Sequence, residues 1–385
     1  MKEGKKMKLE LIATATFGLE AVVKREIEAL GYKIIKSEDG KITYMGDERA
    51  LVKSNLWLRS ADRVLVKMAE FEAKEFEELF QQTKAIPWEE WIPLDGNAIV
   101  TGSSVRSQLH SVPACQSIVK KAIIERLKGF YDVEKFAETG AEYTVKASLL
   151  KDRVTITIDS SGAGLHKRGY RVADVEAPIK ETLAAAIVQL SFWKEGRLLV
   201  DPCCGSGTIA IEAALIGRNM APGLNRKFVS ETWHVIPKKI WEEERKAASD
   251  AVKKDADIKI EASDINPRAI KAAMQNAAEA GVDDCIHFDT FDIENLIAKE
   301  KQGIIVTNPP YGERIGDERD IQKIYNALAK FFKENNTWSL FLITSDKDFE
   351  FKVFGRGAER RRKLYNGRIE ACLYQFHGVK LPREE

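Results

Sequence analysis

Apolar positions in this chain recur in two rhythms, one of strands and one of helices, and the order of those rhythms divides it. Leu9 to Ala15 reads as a strand, and Gly18 to Leu30 carries Leu19, Val22, Val23, Ile27 and Leu30 at helical spacing. Lys33 to Ile35 and Lys41 to Tyr44 read as further strands, and Asp47 is placed to cap a helix running to Leu58. These elements make a small α/β unit. From Asp62 the pattern starts again: strand Arg63 to Met68, helix Lys74 to Lys84, strand Ala98 to Gly102 and helix Val112 to Leu127. Strands Tyr143 to Leu150 and Arg153 to Asp159 follow, meeting at Lys151-Asp152 in a hairpin turn. Lys180 to Trp193 then reads as a helix leading into a third, longer α/β region.

That third region carries chemistry. Gly196 to Val200 is a short apolar run of the kind that forms a buried parallel strand. Asp201-Pro-Cys-Cys-Gly-Ser-Gly-Thr208 follows at its carboxyl end, where open α/β sheets hold ligands. Gly205 and Gly207 allow a tight turn and close approach of a ligand to the backbone. A helix then starts at Thr208. The string has neither the G-x-G-x-x-G of a dinucleotide site nor the G-K-[ST] of a P-loop, and it reads as a turn for a nucleoside cofactor. Asp257 to Ser263 reads as the second strand, ending at Asp264, with Pro267 in the first turn of the next helix and a stop near Gly281. Asp264 is placed to accept ribose hydroxyls, to cap that helix, or both. Residues 217–256 look like an insertion, with a charged helix from Lys238 to Lys254 whose default reading is a solvated face. Ile286 to Ile293 supplies a third acid near an adenine edge, Asp292, with Asp289 as its competitor.

Gly303 to Thr307 is the next strand, and it delivers Asn308-Pro-Pro-Tyr311. An aromatic exocyclic amine is a poor nucleophile, because its lone pair is delocalised into the ring. Two acceptors aimed at its N–H groups draw it toward tetrahedral geometry and stabilise the positive charge that develops on methyl transfer. The side-chain oxygen of Asn308 and the carbonyl of Pro309 can be those acceptors. Tyr311 offers a face for a flipped-out base, and Pro309 with Pro310 stiffens the loop.

Five strings together resemble the THUMP-domain RNA guanine-N2 methyltransferases, of the bacterial large-subunit ribosomal RNA type. They are Gly164-Leu-His-Lys-Arg-Gly-Tyr-Arg171, Ala177-Pro-Ile-Lys-Glu-Thr-Leu-Ala184, the glycine turn, Ser263-Asp-Ile-Asn-Pro267 and Asn308-Pro-Pro-Tyr-Gly-Glu-Arg314. The resemblance implies an α/β chain: a small ferredoxin-like N-terminal domain over residues 1–60, a THUMP RNA-binding domain over 61–162, and a class I, Rossmann-like methyltransferase domain over 163–385. It implies S-adenosylmethionine as cofactor, bound by Asp201, Gly205, Gly207, Asp264 and Asp292. It gives Asn308, Pro309 and Tyr311 the amine, with N2 of a guanine as the acceptor atom. Ribosomal RNA is the favoured substrate and tRNA the second. The rivals are a DNA adenine-N6 or protein-glutamine methyltransferase, which can use the same tetrapeptide, and a non-catalytic RNA-binding or ribosome-assembly factor.

Bulk properties alter this picture little. The chain has 385 residues, enough for two or three domains, and a net charge of +1, so any basic surface must be local. Two basic clusters offer one: His166 to Arg171, and Arg356 to Arg368 beside an Asn366-Gly367 hairpin signal. The second cluster could instead be a solvated edge that discourages strand pairing. Cys115, Cys203, Cys204, Cys285 and Cys372 show neither metal-ligand spacing nor a disulfide framework, which points to a reducing cytosol. No metal is expected. There is no signal-peptide pattern and no run long enough to span a membrane, so the expected location is cytoplasmic. The oligomeric state is not readable from these patterns.

Overall fold

The computed structural model describes residues 7–173, 178–310 and 318–380. The chain forms two compact units. The first takes Met1–Thr14, Lys24–Leu165 and Lys227–Ala247; the second takes Ala15–Val23, His166–Arg226 and Ala248–Glu385.

The first unit is built on seven strands: β1 (Leu9–Ala15), β2 (Ile34–Glu38), β3 (Lys41–Gly46), β4 (Ala61–Glu72), β5 (Asn97–Val105), β6 (Glu142–Leu150) and β7 (Arg153–Asp159). They form one sheet in the order β2-β3-β1-β4-β7-β6-β5. The two N-terminal domains expected from the sequence therefore share a sheet. Four helices fall in this stretch of chain: α1 (Glu20–Ala29), α2 (Glu48–Trp57), α3 (Phe76–Lys84) and α4 (Val112–Tyr131). Asp47 caps α2, accepting from the Ala50 amide. Lys151 and Asp152 both take positive φ, 53° and 64°, as a two-residue hairpin turn requires.

The insertion does not leave a solvated face throughout. Residues 227–247 pack within the first unit. Trp233 is 2% exposed and stacks on Tyr143 with ring centroids 5.2 Å apart, while its indole N–H donates to the Glu142 carbonyl. Ser230 donates its hydroxyl to the Ser160 carbonyl at 2.7 Å. Arg49 pairs with Glu243 and Glu244 midway along the charged helix.

The second unit holds β8 (Leu199–Asp201), β9 (Ile260–Asp264), β10 (Ile286–Thr290), β11 (Ile304–Thr307), β12 (Ser339–Thr344), β13 (Arg360–Asn366) and β14 (Ile369–Phe376). Their order is β10-β9-β8-β11-β12-β14-β13. The pairs from β10 to β12 are parallel, and β14 runs antiparallel to both its neighbours. This is a doubly wound sheet whose order reverses between β8 and β11. Helices α5 (Glu181–Leu190), α6 (Thr208–Gly217), α8 (Pro267–Ala280), α9 (Glu318–Glu334) and α10 (Phe349–Phe354) belong to it, and α7 (Lys238–Asp250) is the insertion's helix. β8 is shorter than the apolar run suggests, because Gly196 sits at φ 81° in a turn whose amide donates to the Asp257 carbonyl. The main core lies on one face, where Leu199, Ile260, Ile304 and Phe341 of the strands meet Ile209, Ala213 and Ala277 of α6 and α8.

Candidate cofactor and amine site

The site forms at the carboxyl ends of β8, β9 and β11, on either side of the sheet's reversal point, where a ligand crevice opens in such folds. The glycine turn is held from several sides. The Cys204 amide donates to the Ser263 carbonyl at 2.9 Å, and the Gly205 amide to the Asp264 carboxylate at 3.0 Å. Gly207, at φ 80°, begins α6, and a Cβ there would lie 2.9 Å from the Cβ of Ala273 on α8. Its glycine is therefore required by backbone conformation and helix packing. Asn276 of α8, 1% exposed, donates to the Ser206 carbonyl and accepts from the amides of Val172 and Ala173. Local pattern gave no signal for this residue, which reads as one more polar position on an amphipathic helix.

Asp201 is 1% exposed and turns into the sheet rather than outward. Its Oδ1 accepts from the Thr307 hydroxyl at 2.8 Å and from the Cys203 amide at 3.3 Å. Burial pushes its carboxyl up to about 7, against the pull of those two donors; the nearby Asp264 adds to the rise. Burial, with Asp201 and Asp264 beside them, also holds the Cys203 and Cys204 thiols well above the usual cysteine range. Neither is suited to act as a thiolate nucleophile.

Asp264 and Asp292 line one cavity of about 280 Å³ with Cys203, Ile265, Phe291 and Pro310. Asp264 accepts from the Gly205 and Asn266 amides, one on each oxygen, and each oxygen keeps a further lone pair. The cap of α8 is Asn266, which accepts from the Arg268 amide, so the capping role considered for Asp264 falls two residues later. Asp292 caps a short turn, accepting from the Glu294 amide, and faces the cavity; Asp289 is exposed on β10. Ile265 is 69% exposed, an apolar side chain left open beside the carboxylates. Asp320 and Lys323 from the start of α9 complete one wall, and the sequence gave no sign of them. Two acceptor carboxylates and an apolar slot fit a nucleoside: hydroxyls for the acids and a purine face for the aliphatic and aromatic side chains.

Asn308 follows β11. Its Oδ1 is buried and accepts no hydrogen bond from any described residue. A buried acceptor in that state costs free energy unless a donor meets it, which suits a group aimed at a substrate amine. Pro309 is buried beside it. Tyr311 lies outside the described residues, as do Glu313 and Arg314. A larger hollow of about 540 Å³, lined by Lys330, Trp338, Arg356 and Phe376, contains none of the residues expected to hold the cofactor or the amine.

Both basic clusters carry side chains that the fold engages in internal pairs. Arg168, 4% exposed, pairs with the fully buried Glu212, which also accepts from the Tyr170 hydroxyl at 3.1 Å. Arg171 donates to Glu181, to the Ile179 carbonyl and to Thr208 at the head of α6. In the other cluster Arg361 reaches the buried Glu350, Lys363 reaches Glu370, Arg356 reaches Glu359, and Arg362 donates to the Gly18 carbonyl. Arg360, Arg361 and Arg362 lie within the edge strand β13, Arg356 ahead of it and Arg368 in the turn after it. Among the described residues no group of three or more potential ligands is placed to hold a metal ion, and no helix is long and apolar enough to cross a membrane.

Known proteins resemble the chain along most of its length. Residues 168–375 match the family described as "RMKL-like, methyltransferase domain", residues 10–65 an RlmL ferredoxin-like domain, and residues 73–159 a THUMP domain. The chain is 50% identical over 380 residues to a Bacillus subtilis (strain 168) protein named "Putative RNA methyltransferase YpsC", covering 98% of each. It is 33% identical to "Ribosomal RNA large subunit methyltransferase K/L" of Syntrophotalea carbinolica, with 96% of the chain covered. It spans only 53% of that relative's length. Among solved structures, SMU.472, described as "a putative methyltransferase complexed with SAH", is 42% identical with a TM-score of 0.92, covering 98% of this chain and all of that one. A Listeria monocytogenes str. 4b F2365 structure, described as "a predicted N6-adenine-specific DNA methylase", is 48% identical with a TM-score of 0.92, covering 97% of each chain.

Proposed function

The chain belongs to the RMKL-like methyltransferase family, and from that premise we propose that it methylates the exocyclic N2 of a guanine in RNA. Its cofactor is S-adenosylmethionine, which supplies an electrophilic methyl group; transfer forms an N–CH3 bond and leaves S-adenosylhomocysteine. In this reading Asp264 and Asp292 hold the nucleoside of the cofactor, with Ile265 and Phe291 against its base. The tight turn through Gly205 and Gly207 gives the rest of the cofactor its path. Asn308 Oδ1 and the Pro309 carbonyl accept from the two N–H groups of the substrate amine, and Tyr311 stacks on the flipped base. Asn308 is not a base, so the amine proton leaves after transfer.

One observation carries the reading: a buried acceptor at Asn308 without a partner among the described residues, directly after the strand that pairs with β8. The THUMP match favours RNA over DNA as the polymer. The names of the K/L relatives favour ribosomal RNA, here 23S, with tRNA second, and a cytoplasmic location follows from that substrate. The domain limits that go with this reading are 1–60, 61–162 and 163–385. Adenine N6 is the competing acceptor, named for the Listeria structure and compatible with the tetrapeptide.

The test is Asn308→Ala. It should leave S-adenosylmethionine affinity nearly intact and lower the single-turnover methylation rate by roughly 10²–10³, as for removal of one preorganised electrostatic group. A rate close to wild type removes Asn308 from the chemistry.

A further inference from the structure

We propose that Asp201 and Thr307 form one positioning link, which holds the glycine turn and the Asn308 loop in register across the reversal point of the sheet. The proposal rests on the methyltransferase reading above and assigns the pair a role that neither residue plays by touching a ligand.

Both members are fully inside: Asp201 is 1% exposed and Thr307 0%. The backbone pairing of β8 with β11 covers Leu199 with Ile304 and Val200 with Ile305, and ends there. Two residues beyond Ile305, where the strands part to open the crevice, the Thr307 hydroxyl still donates to Asp201 Oδ1 at 2.8 Å. That same oxygen accepts from the Cys203 amide in the glycine turn. One carboxylate oxygen thus ties the first residues of the turn to the residue directly before Asn308. Asp201 does not line the cavity that Cys203, Asp264 and Asp292 share. Its influence on the reaction must pass through the two loops it joins. Amine-holding geometry tolerates little error, since a displacement of about 1 Å costs on the order of a hundredfold in rate. A buried side-chain bond immediately before Asn308 is well placed to suppress such a displacement.

Thr307→Val keeps the shape and removes the donor; Thr307→Ser keeps the donor. Thr307→Val should slow single-turnover methylation roughly ten- to a hundredfold while leaving cofactor affinity nearly unchanged, and Thr307→Ser should restore most of the rate. Because the effect passes through Asn308, the Val substitution should cost little more in an Asn308→Ala background. In the ligand-free protein, hydrogen exchange should quicken both at Cys203 to Ser206 and at Asn308. Equal losses in the two backgrounds, or unchanged exchange in the glycine turn, would overturn the link. If the wild-type protein methylates no RNA at all, the functional reading falls, while the exchange measurement still decides whether the two loops are coupled.

Discussion

At Asp201 burial and charge stand in direct conflict. Its carboxyl titrates near 7 in the folded protein, chiefly because burial disfavours the anion, whereas an unfolded aspartate titrates near 3.9. A carboxyl raised on folding contributes stability that is whole below the unfolded value and is lost as pH rises through the folded one. Asp201→Asn keeps an acceptor for Thr307 and removes the charge. It should therefore gain on wild type progressively between about pH 4 and 7 and level off above, with about three units corresponding to ~4 kcal/mol. Urea unfolding of both proteins across that range checks it; a difference independent of pH would contradict it. At this scale the sequence was informative about which residues gather, and less so about where they point. Asp264 and Asp292 share a cavity and Asn308 stands at its strand end, as the spacing suggested. A motif cannot show that the side chain at the end of β8 turns inward toward Thr307, because that depends on a neighbour more than a hundred positions away in the chain. The cap at Asn266 was recoverable: Pro267 favours the first helical position, which makes its predecessor the cap.

Among the elements, the insertion departs furthest from its sequence. Its helix reads as charged and solvated, yet Glu243 and Glu244 pair with Arg49, and Trp233 is sandwiched against Tyr143 and the edge of Trp91. Such partners lie far off in the sequence, so no local period announces them. The physical consequence is a segment that interrupts the catalytic domain in sequence but is a load of buried aromatic surface for the first unit. Trp233→Ala should destabilise that unit by about 3–5 kcal/mol, the range for truncating a buried tryptophan. Hydrogen exchange of β6 and β7 reports this directly, and exchange as slow as wild type would mean that the segment merely rests on the sheet. The hairpins were more legible. Lys151-Asp152 turns with both residues at positive φ, whereas the second hairpin turns one residue past its Asn366-Gly367 signal, at Gly367-Arg368, with Asn366 paired to Ile369 and Gly367 at φ 65°. Turn chemistry is local, whereas the docking of an insertion is not.

For the whole molecule, the family resemblance implied a Rossmann-like sheet, and the alternating strand and helix periods accord with it because each parallel crossover needs a helix. They did not show that strands from the two N-terminal domains join a single sheet, since edge pairing between successive units leaves no periodic mark. Nor did a net charge of +1 locate an RNA surface, and the pairing of Arg356, Arg361 and Lys363 with acids narrows what the C-terminal cluster can offer to phosphates. The choice of substrate atom is the claim on which the account depends most. Adenine and guanine present their amines on different edges, N2 of guanine lying between N1–H and N3, so one acceptor pair serves either base while the surrounding pocket decides. The most direct measurement is to incubate the protein with RNA and S-adenosylmethionine tritiated in its methyl group, digest the product and separate the nucleosides. The account expects the label in N2-methylguanosine, and its absence from product made by Asn308→Ala. Label in N6-methyladenosine would leave a methyltransferase acting on an aromatic amine and contradict the guanine assignment.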